Sequence, residues 1–351
     1  MKFKEKTIMP SRKVIKLEST VSFSSFAAIG GKEERRGKLG SLFDFCDDEN
    51  NFGCDTWEMA EGEMGRLALN SALTKMNLSH EKIELIAAGD LQNQCVATSL
   101  GLQSFGIPFL GIYGACSTCT EALSVIAAFM ESDKNMKHSA VVTTSHNSAA
   151  ERQFRSPIEY GGQRPPSAQW TATAAGAFIL GRDSDRPKIC ELFPGRIVDG
   201  ATKDGSNMGA AMSFAAAESI LSYFDASGAS LSDFDLIVTG DLGRVGSDIL
   251  CDILSKTFPD FQSYHEDCGL LLYDGKRQDV HSGASGCGTS ASVLAAHYLP
   301  RLDGGRLNNI LFMSTGALMS PSSLLQGQDI SGIAPIIRIC SGKGCRDKTE
   351  F

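Results

Sequence analysis

The two halves of the sequence repeat the same order of elements, and this repetition constrains the fold more than any other feature. The segment IELIAAGDLQNQ (83–94) returns as FDLIVTGDLGRV (234–245), so a strand-like run precedes Gly-Asp-Leu in both. Further on, GACSTCTEALSVIAAFM precedes AVVTTSHN (140–147) in the first half, and SGCGTSASVLAAHYL (285–299) precedes NILFMSTGAL (309–318) in the second. Several matching elements in the same order indicate a duplicated unit.

Each half alternates strand-like and helix-like segments. This alternation is typical of sheets that are mainly parallel and have helices packed on their faces. At 351 residues the chain has room for two such units and an ample core. We therefore predict an α/β protein of two related halves, residues 1–185 and 186–351, with mainly parallel sheets.

Cys116 lies where a buried strand is predicted to turn into a helix. The apolar run at 109–113 predicts the strand, Gly114 breaks it, and residues 122–130 are helix-compatible without Gly or Pro. Such a turn lifts a side chain off the sheet edge, and the start of a helix favours a thiolate. Because cysteine is also among the commonest core residues, a site residue and a packed one are equally good interpretations of Cys116. Cys119 is predicted to be core.

Composition excludes several classes of function. The net charge of -8 argues against nucleic acid as a partner, because phosphate binding needs a basic surface. No apolar run reaches the length of about 18 residues that a membrane span requires. The basic N-terminus lacks the apolar segment of a secretory signal. The 11 cysteines show no zinc-type spacing, which predicts reduced thiols in a cytosolic compartment, and no cofactor or metal site is predicted.

Nine motifs between residues 39 and 321 carry a resemblance to a known family. They are LGSLFD (39–44), TWEMAE (56–61), AAGDLQNQ (87–94), GACST (114–118), TTSHNSAAERQFRSPIEYGGQRP (143–165), TGDLGRVGS (239–247), HEDCGLLLY (265–273), SGCGTSA (285–291) and STGALMSP (314–321). With them the chain resembles the thiolase and ketoacyl-ACP synthase superfamily. Within that superfamily it is similar to the stage V sporulation protein AD (SpoVAD) family of endospore-forming bacteria, mainly through the long segment at 143–165.

This resemblance implies a thiolase-like fold of five layers, αβαβα. It also implies a protein that binds dipicolinic acid (pyridine-2,6-dicarboxylic acid), either alone or as its calcium complex. Such proteins act with the membrane subunits of the SpoVA assembly in moving the ligand into the developing forespore and in its release at germination. The expected location is the cytoplasmic side of the forespore, peripheral to the inner spore membrane. Thiolase relatives are commonly dimers, so a homodimer is expected.

The catalytic partners of a thiolase are missing from the positions that match. Condensing chemistry needs a nucleophilic thiolate and two further groups, usually His or Asn, which move a proton and hold the enolate. Cys116 matches the nucleophile, but the two partner loops read TGDL at 239–242, with Asp241, and SGCG at 285–288, with Cys287. An Asp near Cys116 would raise the pKa of the thiol. We therefore predict a non-catalytic protein, with an acyltransferase or condensing enzyme acting on acyl thioesters through Cys116 as the alternative.

A binding site for dipicolinate needs donors for two carboxylates and an apolar slot for a flat ring. The segment at 146–155 supplies such groups in His146, Asn147, Arg152 and Arg155. For His146 and Asn147, a role in ligand binding and a structural role explain the sequence equally well. The arginines are more simply explained by ion pairs with acidic residues. The predicted ligand-binding set is Cys116, Asp90, His146, Asn147, Arg152, Arg155, Asp241 and Cys287.

Asp90 and Asp241 occupy equivalent places in the two halves, each directly after a Gly. They are expected to face each other beside Cys116 across the pseudo-two-fold axis. Two carboxylates there would suit calcium carried with dipicolinate, but a pair of turn-forming residues is the simpler interpretation.

Overall fold

The computed structural model describes residues 12–154 and 164–342. The helices in these ranges are α1 (Lys32–Arg36), α2 (Trp57–Lys75), α3 (Val96–Leu102), α4 (Thr118–Ser132), α5 (Asn147–Phe154), α6 (Met208–Ser227), α7 (Gly243–Leu254), α8 (Phe261–Tyr264), α9 (Cys268–Leu272), α10 (Cys287–Val293), α11 (Leu299–Asp303) and α12 (Pro321–Leu325). The strands are β1 (Ile15–Lys16), β2 (Ser22–Gly30), β3 (Phe45–Cys46), β4 (Ile86–Gly89), β5 (Phe109–Gly111), β6 (Ser139–Ser145), β7 (Trp170–Thr171), β8 (Ala174–Gly181), β9 (Lys188–Phe193), β10 (Val198–Asp199), β11 (Leu236–Thr239), β12 (His265–Asp267), β13 (Ala284–Ser285), β14 (Asn309–Met313), β15 (Gly316–Leu318), β16 (Ser331–Ile333) and β17 (Ile336–Cys340).

The strands form two five-stranded units, and helices fill three layers around them. The first unit has the order β5-β4-β6-β8-β2 and the second has the order β12-β11-β14-β17-β9. The two units join where Ser22 of β2 pairs with Lys188 of β9. Helices α4 and α10 lie between them, α2 and α3 cover the outer face of the first unit, and α6 and α7 cover the outer face of the second. The predicted five-layer thiolase-like arrangement is confirmed.

The strand directions differ in part from the sequence-based prediction. β4 runs parallel to β5 and β6, and β11 runs parallel to β12 and β14. By contrast, β8 is antiparallel to β6 and β2, and β17 is antiparallel to β14 and β9. The prediction of mainly parallel sheets was wrong for these four pairings. In the second half, β17 follows the short strand β16 of the small sheet after two residues and then runs beside β14 in the opposite direction.

Local capping determines where a helix begins, and the layer that a helix occupies determines how much of its surface is apolar. Thr56 caps α2, because its Oγ1 accepts a hydrogen bond from the amide of Met59 at 3.3 Å. Helix α4 is apolar over most of its circumference, as a helix between two sheets requires. Cys119, Ala122 and Ile126 are fully buried there, so Cys119 is a core residue as predicted. Within the described residues, no helix is long and apolar enough to cross a membrane.

The boundary between the two halves was predicted at residues 185 and 186. β8 ends at Gly181 and β9 begins at Lys188, so this point falls in the connection between the two units. The halves are not independent, since β1 pairs with β9 through Ile15 and Leu192. Whether each half is a separate domain stays a prediction.

Candidate functional site

The turn that carries Cys116 forms the floor of a cavity between the two halves. β5 ends at Gly111, a 3₁₀ turn covers Ala115–Ser117 and α4 begins at Thr118, which is the predicted strand-turn-helix order. Ala115 has a φ of 53°, a left-handed conformation that is costly for a residue with a Cβ. The cavity has a volume of about 570 Å³. Its wall includes Leu91, Tyr113, Cys116, Ala150, Glu151 and Phe154 from the first half and Ser206, Met208, Ser285, Leu318, Met319 and Leu324 from the second.

Asp241 lies behind Cys116 and adds to the effect of burial on the pKa of its thiol. One carboxyl oxygen of Asp241 accepts a hydrogen bond from the amide of Gly286 at 2.9 Å, and the other accepts one from the hydroxyl of Thr315 at 2.9 Å. Burial raises the pKa of Asp241 to about 7. Burial, and after it the neighbouring Asp241, raise the pKa of the Cys116 thiol well above its ordinary value, the direction predicted from the sequence. Cys116 is therefore a protonated thiol at neutral pH, with Ser285 Oγ 4.0 Å from its sulfur.

The side chains of His146, His265 and His281 all make contacts away from Cys116. The buried His146 ring has Nε2 2.8 Å from the carbonyl of Asn50, and burial lowers its pKa. The ring nitrogens of His265 contact Thr239 Oγ1 at 2.8 Å and Cys251 Sγ at 3.8 Å. His281 contacts Pro165 and Asp279. Across residues 12–154 and 164–342, no histidine lines the cavity, so Cys116 has no proton acceptor of the thiolase kind there.

The polar residues of α5 have structural partners. The Asn147 side chain donates to the carbonyl of Thr171 at 3.1 Å, and its backbone amide donates to Thr173 Oγ1 at 3.1 Å. Arg152 forms an ion pair with Glu58 of α2, and 57% of its side chain is exposed. Asn147, Arg152 and His146 all lie outside the cavity wall. Their contacts match the interpretation that these side chains stabilise the fold. Arg155 lies outside the described residues.

Only one member of the predicted aspartate pair reaches Cys116. Asp90 accepts hydrogen bonds from the amide of Gln92 and from the amide and hydroxyl of Thr98, at 2.7 to 2.8 Å. It therefore fixes the turn into α3, while Asp241 contacts the thiol. Among the described residues there is no group of three or more His, Cys, Asp or Glu side chains that could hold a metal ion.

Cys287 occupies the place in the second half that Cys116 occupies in the first. Its thiol is fully buried and donates to the carbonyl of Thr144 at 2.9 Å. It packs in a small apolar cluster with Cys116, Leu91 and Ala150, against Phe154. Cys287 thus supports the floor of the cavity from below instead of lining it.

Sequence reasoning missed most of the cavity wall. Leu91 and Tyr113 follow β4 and β5 closely, and Met208, Met319 and Leu324 come from the distant second half. Apolar residues of this kind have no spacing that distinguishes a cavity wall from a core. One signal was available: the loops after the carboxyl ends of the strands are where α/β folds bind ligands.

Three comparisons place the chain among known proteins. The family model for stage V sporulation protein AD (SpoVAD) matches residues 11–340. The stage V sporulation protein AD of Bacillus subtilis (strain 168) is 40% identical over 317 residues, which is 90% of this chain and 93% of that protein. A cerulenin-bound structure of OleA from Xanthomonas campestris has a TM-score of 0.58 at 14% identity and covers 94% of this chain and 99% of its own. A variant of the same OleA also has a TM-score of 0.58, over 92% of this chain and 99% of its own. At such identity the likeness to OleA concerns the fold alone.

Proposed function

Because the chain belongs to the stage V sporulation protein AD family, we propose that it binds dipicolinic acid in the cavity above Cys116 and catalyses no reaction. The observation that carries this proposal is the state of Cys116. The thiol lines a cavity of ligand size, but its pKa is raised and no described histidine lies beside it. A site of this kind keeps the shape of an enzyme pocket without its nucleophile.

The cavity suits a small flat ligand. Its volume of about 570 Å³ lies within the range of small-molecule sites. Leu91, Phe154 and Met208 offer apolar surface to a ring, and the hydroxyl of Ser285 can donate to a carboxylate.

The lining of the cavity favours the calcium complex of the ligand over the free dianion. Apolar side chains such as Leu91, Phe154 and Met208 form much of the wall. A free dianion would lose its hydration there, whereas its one-to-one calcium complex carries no net charge.

From its membership of this family, we also propose a cellular role for the protein. The chain would act with the membrane subunits of the SpoVA assembly in the uptake of dipicolinic acid into the forespore and in its release at germination. Its place would be the cytoplasmic side of the forespore, peripheral to the inner spore membrane.

A homodimer is part of the proposal, supported by the free edge of the first unit. β5 is the last strand of that unit, and its first residue, Phe109, is an exposed apolar residue, as is Leu100 of α3. From residue 91 to residue 120 the sequence contains no Asp, Glu, Lys, Arg or His. An uncharged edge strand with exposed apolar side chains suits pairing with the same strand of a second copy.

One observation favours the alternative, an acyltransferase or condensing enzyme: Cys116 reaches the cavity at the start of a helix. That enzyme requires rapid alkylation of Cys116 at neutral pH and an acyl adduct after incubation with acyl-CoA. The raised pKa of the Cys116 thiol argues against both the rapid alkylation and the acyl adduct, because each needs the thiolate.

The test is calorimetric titration with dipicolinate, with and without calcium, of the wild-type protein and two variants of α6. Met208→Trp fills the cavity, and Phe214→Trp changes an exposed residue of the same helix as the matched control. We expect saturable binding, tighter with calcium, that weakens at least about tenfold in Met208→Trp and stays unchanged in Phe214→Trp. Absence of binding by folded wild-type protein, or equal binding by both variants, would contradict the proposal.

A further inference from the structure

The connection between β15 and β16 is much longer than these two strands need. They are antiparallel neighbours, with Gly316 opposite Ile333 and Leu318 opposite Ser331. Two strands paired in this way can be joined by about two to five residues. Here the connection runs from residue 319 to residue 330 and contains helix α12. Four of its residues, Met319, Ser320, Ser323 and Leu324, line the cavity above Cys116, so the extra length lies over the candidate ligand site.

The connection is organised by its own contacts. The amide of Ser323 donates to Ser320 Oγ at 3.1 Å, and the amide of Ser320 donates to Ser323 Oγ at 3.0 Å. Pro321 occupies the first turn of α12, where its missing N–H costs nothing. These local bonds do not depend on the rest of the protein. The segment can therefore change position without losing its helix.

The same segment is attached to the body of the protein mainly by apolar contacts of a few side chains. No residue of α12 is buried, and Leu325 is 89% exposed. The ion pair between Lys203 and Asp329, at 3.8 Å, joins two largely exposed side chains and contributes little. Leu324 packs over the loop before α6, where a Cβ on Gly205 would lie 2.8 Å from its Cδ1. Leu324, and Met319 just before α12, also pack against the hydrophobic core of the second unit.

The two ends of the segment are held firmly. Ile330 is buried, accepts a hydrogen bond from the amide of Gly200 at 3.0 Å and donates one to the carbonyl of Thr202 at 2.8 Å. Leu318 belongs to β15 and is paired in the small sheet. A self-contained segment between two fixed ends has the construction of a hinged flap.

We propose that residues 319–329 form a lid that opens to admit a ligand to Cys116 and closes over it with Met319 and Leu324. The inference rests on the proposed function for its ligand. It adds that entry and exit are gated by this one segment, so the lid sets the rates of binding and release more than the affinity.

The experiment locks the lid by a reversible cross-link in the double variant Gly205→Cys/Leu324→Cys. Oxidised glutathione accepts the two electrons and two protons released as the S–S bond forms, and dithiothreitol reverses the reaction. The single variant Gly205→Cys, treated in the same way, is the matched control. The association and dissociation rates of dipicolinate with calcium are then measured, and in separate samples the rate of Cys116 alkylation by iodoacetamide at pH 9 is followed by mass spectrometry.

We expect the lock to slow association, dissociation and alkylation each by at least about tenfold, with a nearly unchanged dissociation constant and full recovery on reduction. Unchanged rates in the fully cross-linked protein would overturn the lid, because ligand would then enter elsewhere. If wild-type protein binds no dipicolinate, the proposed function fails. The alkylation rate still decides the lid in that case, since it needs no ligand.

Discussion

The two Gly-Asp turns of this protein share their sequence, but their aspartates, Asp90 and Asp241, have different roles. In the first half Asp90 accepts hydrogen bonds from Gln92 and Thr98 and so secures the turn into α3. In the second half the corresponding task belongs to Asp267, which accepts from the amides of Leu242 and Gly243. Asp241 is thereby available to contact Cys116. Duplication thus repeats the backbone, and the site arises where the two copies have diverged.

The largest expected difference between Asp267 and Asp241 is in their contribution to the free energy of unfolding. Asp267 accepts four hydrogen bonds, three of them buried, from Thr239 Oγ1 and from the amides of Leu242, Gly243 and Leu270. We expect Asp267→Ala to lower the free energy of unfolding by about 4 kcal/mol, because the buried amides lose their acceptor. Asp241→Ala should cost about half as much. Urea denaturation measures both, and an equal loss in the two variants would remove the distinction.

The pH dependence of stability sharpens the same comparison. The folded-state pKa of Asp241 is raised to about 7 by burial, above its value in the unfolded chain. The folded state therefore holds a proton that the unfolded state releases, and the contribution of Asp241 to stability is lost as the pH rises from about 4 to about 7. Asp241→Asn should thus gain stability relative to wild type between pH 5 and pH 8. Denaturation at the two pH values tests this, with the exposed Asp233→Asn as the control; equal changes in both variants would contradict it.

The reactivity of the paired cysteines should respond to Asp241 differently. Asp241→Asn removes the carboxylate that disfavours the Cys116 thiolate, so alkylation of Cys116 at pH 8 should accelerate by about tenfold. Cys287, bonded to Thr144 beneath the cavity, should stay inert. Mass spectrometry after timed iodoacetamide treatment resolves the two thiols. Rapid alkylation of Cys116 in the wild-type protein at neutral pH would instead favour the enzymatic alternative.

The sheet edges also differ between the halves. A substitution there is expected to change the stability of the subunit least. β5 ends the first unit with uncharged residues, whereas β12 ends the second with His265, Glu266 and Asp267. Leu100→Lys should abolish the proposed homodimer and change the stability of the subunit by less than about 0.5 kcal/mol. Light scattering measures the mass. A wild-type monomer, or a variant that remains dimeric, would show that β5 is not the interface.

Much of the fold could be predicted from the sequence because it depends on local patterns. The repeated order of strands and helices predicted two related units, and the apolar run before Gly114 predicted the strand that precedes Cys116. The antiparallel pairings of β8 and β17 could not be predicted, since they depend on which connections cross a sheet face. For α5 the sequence supplied donors, and only the structure showed that Asn147 and Arg152 use them on Thr171 and Glu58.

By itself the sequence determined the family, the duplicated α/β architecture and the place of Cys116 at a strand-helix turn, because hydrophobic periodicity, Gly positions and motifs are properties of neighbouring residues. Only the tertiary structure decided that Asp241 and not Asp90 faces the thiol, that Cys287 lies below the cavity, and that Met319 and Leu324 lie over it. The physical reason is that these roles depend on burial and on contacts between residues far apart in the chain. The pKa of Cys116 depends on Asp241 and on its burial between two units that meet only in the folded protein.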